Sequence, residues 1–223
     1  MKKLIFIIVS AVVAFILFAF VYMGFFFHRM AVVTTGAPIT REAEDRPALL
    51  VIDIQEGITG QSAPQFNRNM VRQSGAFIQA VNAAIDKAQA RQIPVIYIRQ
   101  ETIDPIANFL TGGKFLKAGT PPTALDPRVK AVPGPTYIKH VMDAFSNPEL
   151  DAYLRSLNVN HLYMTGLDAS QCVDRTIKGA LQRGYTVTAL ADALLSGTVE
   201  KKEGMLKQYQ QEGVRLMSVD QWQ

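Results

Sequence analysis

One cysteine, three histidines and one tryptophan are all that this chain of 223 residues has of those types. The lone thiol, Cys172, forms no intramolecular disulfide, so the fold stands on its core. A zinc site built from several cysteines is excluded on the same ground. His28, His140 and His161 are scattered, without a metal-ligand spacing such as HExxH. Charge is missing altogether over one long stretch. From Leu4 to Phe27, 24 residues carry none, and only Ser10 and Gly24 fall outside the hydrophobic class. Clustered basic charge is also lacking. The net charge is +4, but Lys2, Lys3 and Arg29 flank the apolar run, and without them 20 basic residues face 19 acidic ones. Lys201-Lys202 is bracketed by Glu200 and Glu203 and reads as a solvated helix face. A nucleic-acid partner needs basic residues gathered on a face or stripe, and none is expected. Hydrophobic residues make up 48%, which excludes a disordered chain.

The apolar run divides the chain. Twenty-four helical residues at about 1.5 Å each reach about 36 Å, enough for a hydrocarbon core of about 30 Å. A cleavable signal peptide has an apolar core of about 7–15 residues and a small-residue cleavage site. Phe25-Phe26-Phe27-His28-Arg29 offers no A-x-A pattern. Residues 1–29 are therefore expected to be a single-pass membrane anchor, crossing through residues 4–27. Lys2 and Lys3 favour a cytoplasmic N-terminus, against Arg29, Arg41 and Arg46 on the far side. The domain beyond is expected in the periplasm or another extracytoplasmic space. Residues 30–46, with Gly, Pro and charges and no sustained period, read as a tether.

Residues 47–223 read as one domain. Apolar runs recur at Ala48–Ile52, Pro94–Ile98, Thr136–Ile138, His161–Thr165, Tyr185–Leu190 and Val214–Val219. Such unbroken runs suit strands buried on both faces of a parallel sheet. Between them lie helical patterns. Met70 to Arg91 places apolar residues close to a 3.6 period. Pro148 to Leu157 follows Asn147, a good N-cap with Pro at the first helical position. Cys172 to Arg183 runs into Gly184, and Val199 to Gln211 runs into Gly213. Alternation of strands and helices predicts an α/β architecture with right-handed crossovers. Glu101 to Pro135, rich in Pro, Gly and Thr, reads as a long loop covering a site.

In open parallel sheets, ligands bind outside the carboxyl ends of the strands. Asp53 ends the first strand, Lys139 ends the third, and Cys172 opens the helix after the fourth. A helix N-terminus and a nearby lysine would each lower the pKa of the thiol, and the thiolate is the nucleophile. Asp53 would then move the proton as a general acid-base group, with Lys139 holding both in place. Each residue also has a plainer reading. Cys172 could be a buried structural thiol, Asp53 a turn residue and Lys139 a surface lysine at a strand end.

VIDIQ at 51–55, Lys139 followed by Ala144-Phe145 and Leu150, and TGLDASQCVDRTIKGALQRGYTVTALADA at 165–193 resemble the isochorismatase-like cysteine hydrolases. The resemblance runs from about Arg46 to the last strand. It implies a three-layer αβα sandwich on a mainly parallel sheet of about six strands. It implies an Asp-Lys-Cys triad on Asp53, Lys139 and Cys172. It places a non-proline cis peptide between Leu167 and Asp168, and an oxyanion hole on the backbone N–H groups of Asp168 and Cys172. It also makes self-association into a homo-oligomer a candidate state.

The departures narrow the chemistry. Relatives that hydrolyse nicotinamide carry a D-x-H…H metal site after the second strand, where this chain reads RQETIDPIANF with no histidine. No metal or other cofactor is expected. Relatives acting on isochorismate lack the nucleophilic cysteine that Cys172 supplies here. Asp168 adds a carboxylate where relatives carry small or apolar residues, which would repel acidic substrates or bind an amino group. A membrane anchor is not typical of the family.

The expected function is hydrolysis of a C–N bond in a small amide or N-carbamoyl compound through a Cys172 thioester. Gln55 and Arg99 are candidates for binding substrate, although Gln55 would serve equally as a support behind the site and Arg99 as an ordinary ion-pair partner. Phe109, Phe115 and Tyr137 are candidates for apolar walls or for core. Non-amide hydrolysis on the same scaffold and a binding protein with a vestigial site are the alternatives. A redox-sensing thiol is disfavoured, since no second cysteine exists to resolve a sulfenic acid.

Overall fold

A computed structural model describes residues 1–40 and 43–222. Arg41 and Glu42, within the expected tether, and Gln223 lie outside the described residues. Six strands form one sheet: β1 (Pro47–Ile52), β2 (Val95–Gln100), β3 (Thr136–Lys139), β4 (His161–Gly166), β5 (Thr186–Leu194) and β6 (Arg215–Met217). Their order is β3-β2-β1-β4-β5-β6, with every neighbouring pair parallel. The helices are α1 (Lys2–Met30), α2 (Arg68–Ala90), α3 (Pro105–Leu110), α4 (Pro148–Ser156), α5 (Cys172–Gln182) and α6 (Val199–Gln211).

Side chains alternate across a strand, and the sheet uses both faces. Ala48, Leu50 and Ile52 of β1 pack with Leu150 of α4, Ile177 of α5 and Tyr209 of α6. Leu49 and Val51 pack on the opposite face with Phe77, Val81 and Ile85 of α2. These are the three layers. Asn147 caps α4 as expected, its side chain accepting from the Glu149 N–H at 2.9 Å.

Two segments differ from expectation. β5 does not stop before Asp192 but continues to Leu194. A register shift after Met164 brings Gly166 opposite Leu194, so Ala193 and Leu194 are buried while Asp192 faces outward. The stretch expected as a long loop contains α3, started by the side chain of Asp104, which accepts from the Ala107 N–H at 2.8 Å, with Pro105 following.

Helix α1 is long and apolar enough to cross a membrane, and a signal sequence passes the same test. Its last turns are joined to the domain. Phe26 and Met30 are buried against Ala107 and Met142, and Met30 O accepts from the Met142 N–H at 2.8 Å. The chain beyond stays in contact. Arg175 Nε donates to Ala31 O at 3.0 Å, and the Thr34 N–H and hydroxyl donate to Asp143 Oδ2 at 2.8 and 2.6 Å.

Candidate active site

β1 pairs with β2 on one side and with β4 on the other, and the chain winds outward from β1 to β3 on one side and from β4 to β6 on the other. This is the switch point where α/β sheets open a crevice at their carboxyl ends. Asp53 follows β1 directly and takes a left-handed conformation (φ 57°), which Asp tolerates better than most residues. Gly166 ends β4 at φ 119°, and a Cβ there would lie 2.1 Å from Ile52 O, so only glycine lets β4 pass this close to β1. The Leu167–Asp168 peptide bond that follows is cis. Cys172 then opens α5.

Lys139 comes from β3, two strands away from β1. At about 4.8 Å per strand the gap is about 10 Å. A long lysine side chain meeting an aspartate closes that gap. Lys139 Nζ lies 2.8 Å from Asp53 Oδ2, 2.6 Å from Gln100 Oε1 and 3.2 Å from Cys172 Sγ. An ammonium has three donors, and these three acceptors use all of them. Lys139 and Asp53 are each 1% exposed. Burial alone would lower the lysine, but the neighbouring Asp53 carboxylate and Cys172 sulfur hold it above its ordinary value. Asp53 Oδ1 is buried with no hydrogen-bond partner.

The resting thiol differs from expectation. Burial pushes Cys172 up, and the Asp53 carboxylate pushes it further. Lys139 pulls it back only in part, so Cys172 stays well above the usual thiol range. The expected lowering by a lysine and a helix terminus is outweighed by desolvation and a like charge.

A cavity of about 250 Å³ lies over Cys172. Asp53, Gln100, Asp168 and Gln171 are among its polar lining, and Phe27, Met30, Phe66, Phe115, Leu116 and Met142 among its apolar lining. The backbone N–H groups of Asp168 and Cys172 have no acceptor among the described residues. The Asp168 carboxylate braces the loop ahead of Cys172, its Oδ1 accepting from Ser170 N–H, Ser170 Oγ and Ser196 Oγ at 2.7, 2.9 and 2.6 Å. Among the described residues no three His, Cys, Asp or Glu side chains gather as a metal set.

Asp53, Lys139 and Cys172 thus meet at one point, and Asp168 lines the cavity beside them. Gln55 and Arg99 do not line the cavity. Gln55 is buried, with Oε1 accepting from the Gln100 N–H at 2.8 Å and Nε2 donating to Gln100 O and Thr123 O at 3.0 and 2.8 Å. Its amide is spent on the backbone. Arg99 donates to Thr123 O at 3.1 Å. Phe115 lines the cavity, whereas Tyr137 packs on Tyr153 and Phe109 is exposed at a groove beside α1. Sequence reasoning missed Gln100, whose only signal was its place at the carboxyl end of β2. It also missed Phe27, at the end of the apolar run, and Met30, at the start of the expected tether.

Known proteins share this fold. The chain is 27% identical over 156 residues to an uncharacterized isochorismatase family protein of Bacillus subtilis, covering 69% of this chain and 79% of that one. It is 34% identical over 82 residues to the ureidoacrylate amidohydrolase of Variovorax paradoxus, covering 36% of this chain and 32% of that enzyme. The crystal structure of an isochorismatase family protein from Desulfovibrio vulgaris superposes with a TM-score of 0.71 at 22% identity, covering 79% of this chain and 96% of that one. The isochorismatase domain model matches residues 47–221, and with the sheet, switch point and buried cluster described above, the chain belongs to the isochorismatase family of hydrolases.

Proposed function

We propose that this protein is a membrane-anchored cysteine hydrolase that cleaves a C–N bond in an amide or N-carbamoyl compound. The observation that carries it is the buried Asp53–Lys139–Cys172 contact beside the cavity. The V. paradoxus relative, an amidohydrolase of a ureido compound, favours this bond type. In the reading offered here, Asp53 Oδ1, buried and unpartnered, takes the proton from Cys172 Sγ as sulfur attacks the carbonyl carbon. The new oxyanion accepts hydrogen bonds from the N–H groups of Asp168 and Cys172. Collapse breaks the C–N bond, and Asp53 returns the proton to the leaving ammonia or amine. Water then attacks the thioester, giving one proton through Asp53 to the departing sulfur. The raised thiol suits this order, because proton transfer and attack occur together on bound substrate. Lys139 keeps its proton throughout and holds Asp53 and Cys172 in register.

Retention of α1 as the anchor is supported by the contacts of its end with the domain, above all Met30 O with the Met142 N–H. The test is ammonia release from a panel of amides and N-carbamoyl compounds by the full chain and by Cys172→Ala. Release that disappears in the variant supports the reading, and equal release from both proteins overturns it.

A further inference from the structure

The end of the apolar helix is part of the catalytic cavity. Phe27 and Met30 line it together with Cys172 and Asp53. Phe115 packs edge-on against both Phe26 and Phe27, with centroids 6.1 and 5.5 Å apart. A second apolar element lies alongside. Helix α3 follows Asp104, whose carboxylate accepts from Tyr22 Oη at 2.9 Å. Phe109 and Leu110 border Phe15, Ala19, Phe20 and Met23 of α1. Ile103, Ile106 and Phe109 are nevertheless 61%, 39% and 74% exposed, and Phe66 at the cavity is 63% exposed. Ala19 lies eight residues before Phe27, about 12 Å down the helix. A bilayer that takes α1 up to Phe27 therefore also takes the apolar tip of α3. It meets the domain at the level of the cavity wall.

Resting on the membrane-anchored hydrolase reading, we propose that the cavity serves a membrane-partitioned amphiphile, with its amide or N-carbamoyl head reaching Cys172 past Phe27, Met30 and Phe66 while its alkyl chain stays in the bilayer. The lining fits this division. Phe27, Met30 and Phe66 wall the cavity beside Cys172, so an alkyl chain too long for it leaves along that apolar wall. The bilayer is the occupant of the exposed α3 surface because Phe109 and Leu110 border the uncharged stretch of α1 from Phe15 to Met23.

The test uses thiol labelling, which does not depend on turnover. The chain of residues 1–223 in phosphatidylcholine vesicles is treated with N-ethyl or N-dodecyl iodoacetamide, and modification of Cys172 is followed by mass spectrometry. A thiol introduced by Glu203→Cys, on the exposed side of α6, corrects for general reactivity. The proposal expects the dodecyl reagent to be preferred at Cys172 at least tenfold more than at the reference thiol. The pair Ile106→Ser and Phe109→Ser, both on exposed side chains, should cut that preference at least threefold. Equal preference at the two thiols overturns the proposal, as does a preference indifferent to the α3 substitutions. Failure of the protein to float with the vesicles overturns the anchor and this inference together. Absence of ammonia release beside a dodecyl preference at Cys172 strikes the hydrolase reading alone.

Discussion

Lys139→Met isolates the element on which the site depends. Methionine keeps an unbranched chain of similar length but removes the ammonium. Asp53, 1% exposed, then keeps a carboxylate with neither oxygen partnered, since Oδ1 has no hydrogen bond to begin with. At the 2.8 Å contact, the lost attraction is about 6 kcal/mol at an effective dielectric of about 20. Protonation and relaxation recover part of it, so a net loss of about 3–5 kcal/mol is expected. The loss should narrow in acid, where a protonated carboxyl strands no charge. Adding Asp53→Asn to Lys139→Met removes the stranded charge and should restore at least about 2 kcal/mol, without restoring activity. Urea unfolding of the four proteins of this cycle at pH 5 and 8 gives the numbers. A Lys139→Met loss below about 1 kcal/mol, or a double variant no more stable than the single, would refute the buried pair as described.

Stability should fall as pH rises above about 9. Folding holds the protons on Cys172 and Lys139 to higher pH than in the unfolded chain, so the folded state binds more protons there; a melting temperature that climbs from pH 8 to 10 contradicts this. Gln55→Leu should cost about 2–4 kcal/mol in denaturant unfolding, because it leaves the buried Gln100 N–H and Gln100 O unpaired. A loss of activity with unchanged stability would instead place Gln55 at the substrate. Gly166→Ala sets a Cβ 2.1 Å from Ile52 O at a positive φ, and should lower the melting temperature by several degrees while Gly197→Ala, in open space, does not.

The parallel sheet was legible because its strands are buried on both faces and so appear as unbroken apolar runs. Their carboxyl ends made Asp53, Lys139 and Cys172 candidates beside plainer readings, and the family resemblance singled them out. Gln100 escaped because a glutamine ending a strand has no pattern of its own. Its role depends on Lys139 crossing two strands to meet it. The thiol's raised pKa was hidden for a related reason. Helix termini and lysines can be read along a chain, but the burial of Cys172 and the nearness of Asp53 arise only from the packed fold. Helix α3 had its signal in Asp104-Pro105, a cap followed by a first-turn proline, within a stretch whose Pro and Gly content read as loop. Phe27 falls in the apolar run and Met30 at the start of the expected tether, and hydropathy does not reveal which end of an apolar helix turns toward a neighbouring cavity.

The central claim is covalent chemistry at Cys172. The most direct measurement mixes the full chain with an amide or N-carbamoyl compound from which it releases ammonia, quenches in acid and reads the protein's mass. The account predicts a species heavier by the acyl group, carried on the peptide containing Cys172 and absent from Cys172→Ala. Ammonia release that persists in Cys172→Ala, or an adduct carried on another residue, would contradict it.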